Sequence, residues 1–241
     1  MKTIILIIIV IAIAGMIVMV QHSGSHPTSE VSIMRDITEP HLSQPVLTDI
    51  MPLFNFDHDN GKWNGGVFDF TNITNVSFNL STVVELPSAN EWLSNEYFRT
   101  IELRQFQYKI SKVLEDSKMD SVGKGNSSIF VPIANQLNRL FYSNSTRKVL
   151  LVYSDLMEND PHFSFYDQNN LNQLSSNYER SKREFDKMMY LHDLSGIEIH
   201  LLFEPPDVVS DERYRTVSAF YKKYLESKGA KVTISANLTS N

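Results

Sequence analysis

Residues 4–20 (IILIIIVIAIAGMIVMV) carry no charge and no strongly polar group. A helix that packs on a soluble core needs an apolar stripe, whereas this run is apolar on every side, the pattern of a helix solvated by lipid. Its length is at the short end of the roughly 17 to 25 residues that span a bilayer. Lys2 precedes the run and no basic residue follows until Arg35. The positive-inside rule then places the N-terminus in the cytoplasm and the rest of the chain outside it. The competing reading is a secretion signal that is cleaved. Against it, the run is longer than an h-region of roughly 7 to 15 residues, and no small-x-small cleavage site follows Val20. Residues 1–21 are therefore expected to be a membrane anchor, or else a signal peptide. Residues 22–43 are polar, hold Pro27 and Pro40, and read as a linker.

From residue 44 the pattern becomes that of a folded domain. Residues 46–50 (VLTDI) are short and apolar and predict a strand. Residues 66–74 (GVFDFTNIT) alternate with aromatic and β-branched side chains and predict another, after the turn signal at residues 59–61 (DNG). A helix is expected over 90–117, burying Phe98, Ile101, Phe106, Ile110, Val113 and Leu114. A second helix follows, capped by Ser127 or Ser128 with Pro132 in its first turn, and with Phe130, Ile133, Ala134, Leu137, Leu140 and Phe141 on one face. Residues 149–153 (VLLVY) do not alternate, which suits a central strand covered on both sides. A helix over 171–191, a strand over 197–203, a helix over 210–227 stopped at Gly229, and a strand over 231–235 complete the chain. Strands alternating with helices of crossover length predict an α/β fold, a doubly wound and mostly parallel Rossmann-like sheet over 44–241. Ligands of such sheets bind at the C-terminal strand ends, which is where Ser154 and Asp155 fall.

Charge and composition narrow the chemistry. The net charge of −6, with no basic stripe, argues against a nucleic-acid partner. The absence of cysteine excludes disulfides, thiolate metal sites and a cysteine nucleophile. Asn-x-Ser/Thr sequons stand at Asn72, Asn75, Asn79, Asn126, Asn144 and Asn237, but a cysteine-free ectodomain points to a bacterial rather than a glycosylated eukaryotic protein. No phosphate-binding glycine loop, nucleophile elbow or His-Glu-x-x-His spacing is present. The segment 56–61 (FDHDNG) has its glycine at the sixth position of a calcium loop, but Phe56 and His58 stand where oxygen ligands belong, so it reads as a surface turn.

Residues 148–159 (KVLLVYSDLMEN) resemble the fourth-strand motif of von Willebrand factor A-like domains, in which an apolar strand ends in Ser/Thr-Asp-Gly. The element order over 45–236 is similar to that family as well. The resemblance implies a binding domain, and in many members a metal-ion-dependent adhesion site for Mg²⁺ whose open position takes a partner's carboxylate. Carried over residue by residue, it implies Asp49 as the first aspartate, Ser127 or Ser128 as the loop hydroxyl and Asp155 as the last aspartate. Met51 and Leu53 stand where two serines belong, and Leu156 stands where Gly is usual. Thioether and alkyl groups do not bind a hard cation, so the site is expected to be degenerate. A different alignment would start the motif at Asp69 and Thr71. Glu158 and His162 are accessory candidates, Glu158 for proton transfer or for a helix dipole and His162 as a ligand or base. The expected function is a membrane-tethered, extracytoplasmic (periplasmic) module that binds a protein partner. The alternative is a divalent-metal hydrolase built on Asp49 and Asp155.

Overall fold

The computed structural model describes residues 26–38, 43–58, 60–74, 79–118, 127–160 and 163–238. The apolar run at 4–20 and His162 lie outside them. Among the described residues, no helix is long and apolar enough to cross a membrane.

The sheet begins inside the stretch expected to be a linker. Thr28–Asp36 (TSEVSIMRD) is β1, and it pairs in parallel with β2 (Gly65–Ile73) on one side and β4 (Arg147–Tyr153) on the other. The linker expectation fails because this stretch is a buried strand, with Val31, Ile33 and Met34 in the core between polar residues. Ser29, Glu30, Ser32 and Asp36 are all at most 5% exposed. Burial of such groups is tolerable because tertiary partners satisfy them: Ser29 Oγ donates to the carbonyl of Phe54, and Arg139 reaches both Glu30 and Ser32.

The segment expected to be the first strand is helical instead. Leu47–Ile50 forms α1 and runs into a 3₁₀ turn at Met51–Phe54 with Pro52 near its start. Ile50 and Phe54 are fully buried against the sheet. So short an apolar run does not reveal its own period. β2 matches expectation. At Gly66 an added Cβ would come within about 3 Å of the rings of Phe56 and Phe106, so this glycine makes room for the aromatic cluster of Phe54, Phe56 and Phe106.

β3 (Ser81–Leu86) is an antiparallel edge strand on β2. The long helix α2 (Glu96–Ser117) starts later than expected, capped by Asn95, whose side chain accepts from the N–H groups of Tyr97 and Phe98. Phe106, Ile110 and Leu114 are buried as expected, but Phe98 is exposed. Next come α3 (Phe130–Tyr142), β4 and a small hairpin of β5 (Asn159–Asp160) and β6 (Phe163–Ser164). The single helix expected over 171–191 is two, α4 (Gln168–Ser176) and α5 (Tyr178–Met188). Asn177 leaves helical geometry between them and caps α5 with its side chain. The chain ends with β7 (Ile197–Leu202), α6 (Val208–Glu226) and β8 (Lys231–Ser235). Gly229, at φ +100°, turns the chain after α6.

The strand order is β3-β2-β1-β4-β7-β8, all parallel except β3. Side-chain alternation divides the core into two layers. Val31, Ile33, Phe68, Val149 and Leu151 pack under α1 and α2, while Met34, Leu150, Val152, Ile199 and Leu201 pack under α3 to α6. From β1 the sheet grows toward β2 and β3, and from β4 it grows toward β7 and β8. Winding therefore reverses between β1 and β4, which leaves a crevice at their C-terminal ends.

Candidate functional site

Arg35 pairs with Tyr153, so the next residues, Asp36 and Ser154, leave their strands side by side at this crevice. Asp36 Oδ2 accepts from Ser154 Oγ at 2.9 Å. Its Oδ1 accepts from the backbone N–H and the hydroxyl of Thr38, at 2.9 and 2.6 Å. Ser154 Oγ also accepts from the N–H of Leu156 at 2.9 Å. The carboxylate of Asp36 thus fixes two hydroxyl groups by holding their protons, and their remaining lone pairs point away from it.

Asp155 lies beside this network. Its Oδ1 accepts from the N–H of Met157 at 2.9 Å, and its side chain lines a cavity of about 240 Å³ with Tyr166, Phe203, Arg213 and Tyr214. Leu156 then adopts φ 62°. That left-handed conformation is natural to glycine and costs a leucine strain. The backbone therefore has the shape that a Ser-Asp-Gly sequence would give, although Leu156 occupies the position.

Ser127 and Ser128 are brought to the same region. Ser127 Oγ donates to the carbonyl of Met157 at 3.3 Å, and the carbonyl of Ser127 accepts from the N–H of Asn159 at 2.9 Å. Neither serine caps α3. Glu158 does so from across the loop, with Oε2 accepting from the N–H groups of Ile129 and Phe130 at 3.0 and 2.7 Å. An anionic cap is favourable at the positive end of a helix. Glu158 is fully buried, and through these hydrogen bonds its carboxylate joins the two loops.

The floor of the region is α6. Tyr221 is completely buried, and burial, reinforced by the charges of Glu158 and Asp155, pushes its hydroxyl pKa well above the ordinary value. Tyr214 is shifted the same way by burial and by Asp155. Both tyrosines therefore stay protonated at physiological pH, and neither hydroxyl has a hydrogen-bond partner among the described residues.

Asp49 is elsewhere. It lies on α1, on the opposite face of the sheet, and lines a separate cavity of about 330 Å³ with Arg147, His200 and Lys231. The structure therefore does not bring Asp49 and Asp155 together, and the hydrolase built on that pair loses its geometry. Asp69 is also remote from the crevice. It sits mid-strand on β2, paired with Arg139. The residue that occupies the expected place of Asp49 is Asp36, followed by Thr38. The signal was present in residues 36–40 (DITEP), an Asp-x-Thr with Pro40 in place of a second hydroxyl.

The donors at the crevice are all oxygens: Asp36, Thr38, Ser154 and Asp155. This set fits a hard divalent cation that keeps several waters. Among the described residues no three of His, Cys, Asp and Glu converge, so hydroxyl groups would have to complete any such site.

No protein-family model and no curated protein sequence matches the chain. Ten chains of solved structures match it, among them the following two. One is the open conformation of the pilus adhesin SpaC from Lactobacillus rhamnosus GG, at 9% identity and a TM-score of 0.40 over 88% of this chain. This chain spans 28% of that protein's length. The other is an aerotolerance-related membrane protein from Bacteroides fragilis NCTC 9343 with multiple mutations to serines, at 11% identity and a TM-score of 0.35, covering 86% of this chain and 92% of that one.

Proposed function

We propose that the chain is a membrane-tethered binding module of the von Willebrand factor A-like type, with a protein partner docking at the C-terminal edge of the sheet. The observation that carries this reading is the Asp36–Ser154 hydrogen bond across the crevice, with Thr38 and Asp155 beside it. A doubly wound sheet binds ligands at this point. In this reading residues 4–20 anchor the chain and the domain lies outside the cytoplasm. Thr38, Ser154 and Asp155 would hold a Mg²⁺, with Asp36 orienting the two hydroxyls and with Ser127 and Ser128 at the rim. The ion would supply an open position for a carboxylate of the partner.

A thermal melt of the full-length chain in detergent micelles, with and without Mg²⁺, Mn²⁺ or Ca²⁺, tests the site. A cation at a hundred times its Kd stabilises the native state by roughly 2.7 kcal/mol, which raises Tm visibly. The expected result is a rise in the wild type that Asp36→Asn and Asp155→Asn both abolish. No rise in the wild type refutes the metal. A rise that survives both substitutions places any cation elsewhere.

A further inference from the structure

We infer that the edge of the domain opposite the candidate site is a membrane-contact surface, formed by exposed aromatic side chains around the point where the chain enters β1. The inference rests on the proposed anchor at 4–20. Trp92, Leu93, Tyr97 and Phe98 are 85, 75, 71 and 62% exposed, and Tyr142 and Tyr190 are 69 and 68% exposed. Large apolar groups scattered singly over a surface need no explanation, but groups of them do.

Hydrogen bonds fix where these groups lie. The N–H of Gly65 donates to the carbonyl of Pro27 at 3.0 Å, and the N–H of Ala89 donates to the carbonyl of Trp63 at 2.9 Å. Arg99, in the first turn of α2, donates to the carbonyls of Asn64, Lys62 and Pro87 at 2.6, 2.7 and 3.0 Å. The loop carrying Trp92 and the start of α2 therefore flank residue 27 on one side of the sheet. On the other side, the N–H of Thr146 donates to the carbonyl of Thr28 at 2.9 Å, and Ser143 Oγ donates to the carboxylate of Glu30. Tyr142, which precedes them, bonds His192 through its hydroxyl at 3.0 Å, and the ring of Tyr190 lies 5.2 Å from that imidazole. Two aromatic groups thus bracket the start of β1 from opposite faces.

Between the apolar run and β1 lie residues 21–27, which even fully extended span about 25 Å. An anchor in the bilayer therefore holds this edge of the domain close to the lipid surface. Tryptophan and tyrosine favour the bilayer interface, since each has an apolar body and a polar tip. On the Trp92 side the charges of Glu91, Glu96, Lys62, Arg99 and Glu102 sum to −1, with both cations paired, Lys62 to Glu96 at 2.6 Å and Arg99 to Glu102 at 2.9 Å. On the Tyr142 side Lys148 donates to the carbonyl of Phe141, so the edge carries little net charge. The occupant this favours is a zwitterionic lipid surface rather than an anionic one. The crevice at Asp36 then faces away from the membrane, toward partners.

The chain has two tryptophans, Trp63 at 5% exposure and Trp92 at 85%, so Trp92 reports on the surface directly. The full-length protein is placed in phosphatidylcholine vesicles with acyl chains brominated or not, and flotation is read in parallel. The expected result is that the protein floats, brominated lipid quenches the Trp92 emission, and Trp92→Phe removes the quenching. A Tyr142→Trp reporter in the Trp92→Phe background should be quenched likewise. If the protein floats but Trp92 remains open to aqueous acrylamide, the contact is refuted while the anchor stands. Protection of Trp92 from acrylamide without quenching by bromine also refutes it, because a protein, such as a second copy, then covers the patch. Failure to float overturns the anchor and this inference together.

Discussion

Leu156 shows how two local effects of opposite sign combine at one position. Its φ of 62° imposes strain on a side chain with a Cβ, of about 1–2 kcal/mol. The same side chain is fully buried between the post-β4 loop and the core. Truncating a buried leucine typically costs about 3–5 kcal/mol. Burial wins, so Leu156→Gly should destabilise the domain by about 2 kcal/mol, read as a lowered urea midpoint at unchanged slope. A stabilised variant would mean that strain dominates. Asp36 is the complementary case, a buried carboxylate made tolerable by three donated hydrogen bonds. The apolar neighbours Ile33, Met34 and Ile37 hint at its burial, but the charges of Glu30, Arg35 and Asp36 itself give the stretch the look of a linker.

At the scale of elements, α5 and α6 are held together partly by one acid. Asp186 accepts hydrogen bonds from Lys182, Lys228 and the hydroxyl of Tyr224. Burial pushes its pKa up, but these donors outweigh burial and bring it down to about 2 from 3.8. A carboxyl depressed in the folded state binds fewer protons there than in the unfolded chain. Its contribution is therefore complete above pH 4 and is lost as pH falls from about 4 toward about 2. The side chain is about a third exposed, so solvent screening reduces the contribution to about 1 kcal/mol. Asp186→Asn should lower stability at pH 7 by that amount and flatten the fall in Tm between pH 4 and pH 2. An equally steep fall in the variant would assign the acid sensitivity to other carboxylates. The helix boundaries follow similar local rules. Asn95 and Asn177 start α2 and α5 with side-chain caps, and both asparagines stand in plain view in the sequence.

The whole molecule depends on contacts that no local rule describes. Arg139, near the end of α3, reaches Glu30 on β1 at 2.6 Å and Asp69 on β2 at 2.8 Å. Gln136 also donates to Asp69, at 2.8 Å. Both carboxylates are almost completely buried, while Arg139 is 41% exposed. Breaking a buried pair by deleting one partner costs about 3–5 kcal/mol, and partial exposure puts this case at the low end. Arg139→Ala should destabilise by about 3 kcal/mol in urea unfolding. Adding Glu30→Gln and Asp69→Asn should restore most of the loss, since no buried charge is then left unpaired. Failure of that rescue would mean that the arginine acts through packing.

The sequence by itself determined the class of fold. The continuous apolar run ending in Ser154-Asp155, the amphipathic stripe of α3 and the glycine after α6 follow from periodicity and backbone sterics, which act within a few residues. It also marked one half of the candidate site, because Asp155 and the backbone turn at Leu156 are products of the strand that carries them. Tertiary structure alone decided the other half. β1 mixes core residues Val31, Ile33 and Met34 with buried polar ones, and the polar ones are tolerated in a strand because Arg139, the Phe54 carbonyl and Ser154 satisfy them from distant positions. Residues 46–50 become a helical turn that buries Ile50 against the sheet, a tertiary contact that so short an apolar run does not encode. Asp36 meets Ser154 because the winding of the sheet reverses between β1 and β4, and the direction of winding is a property of the assembled sheet that no single segment encodes.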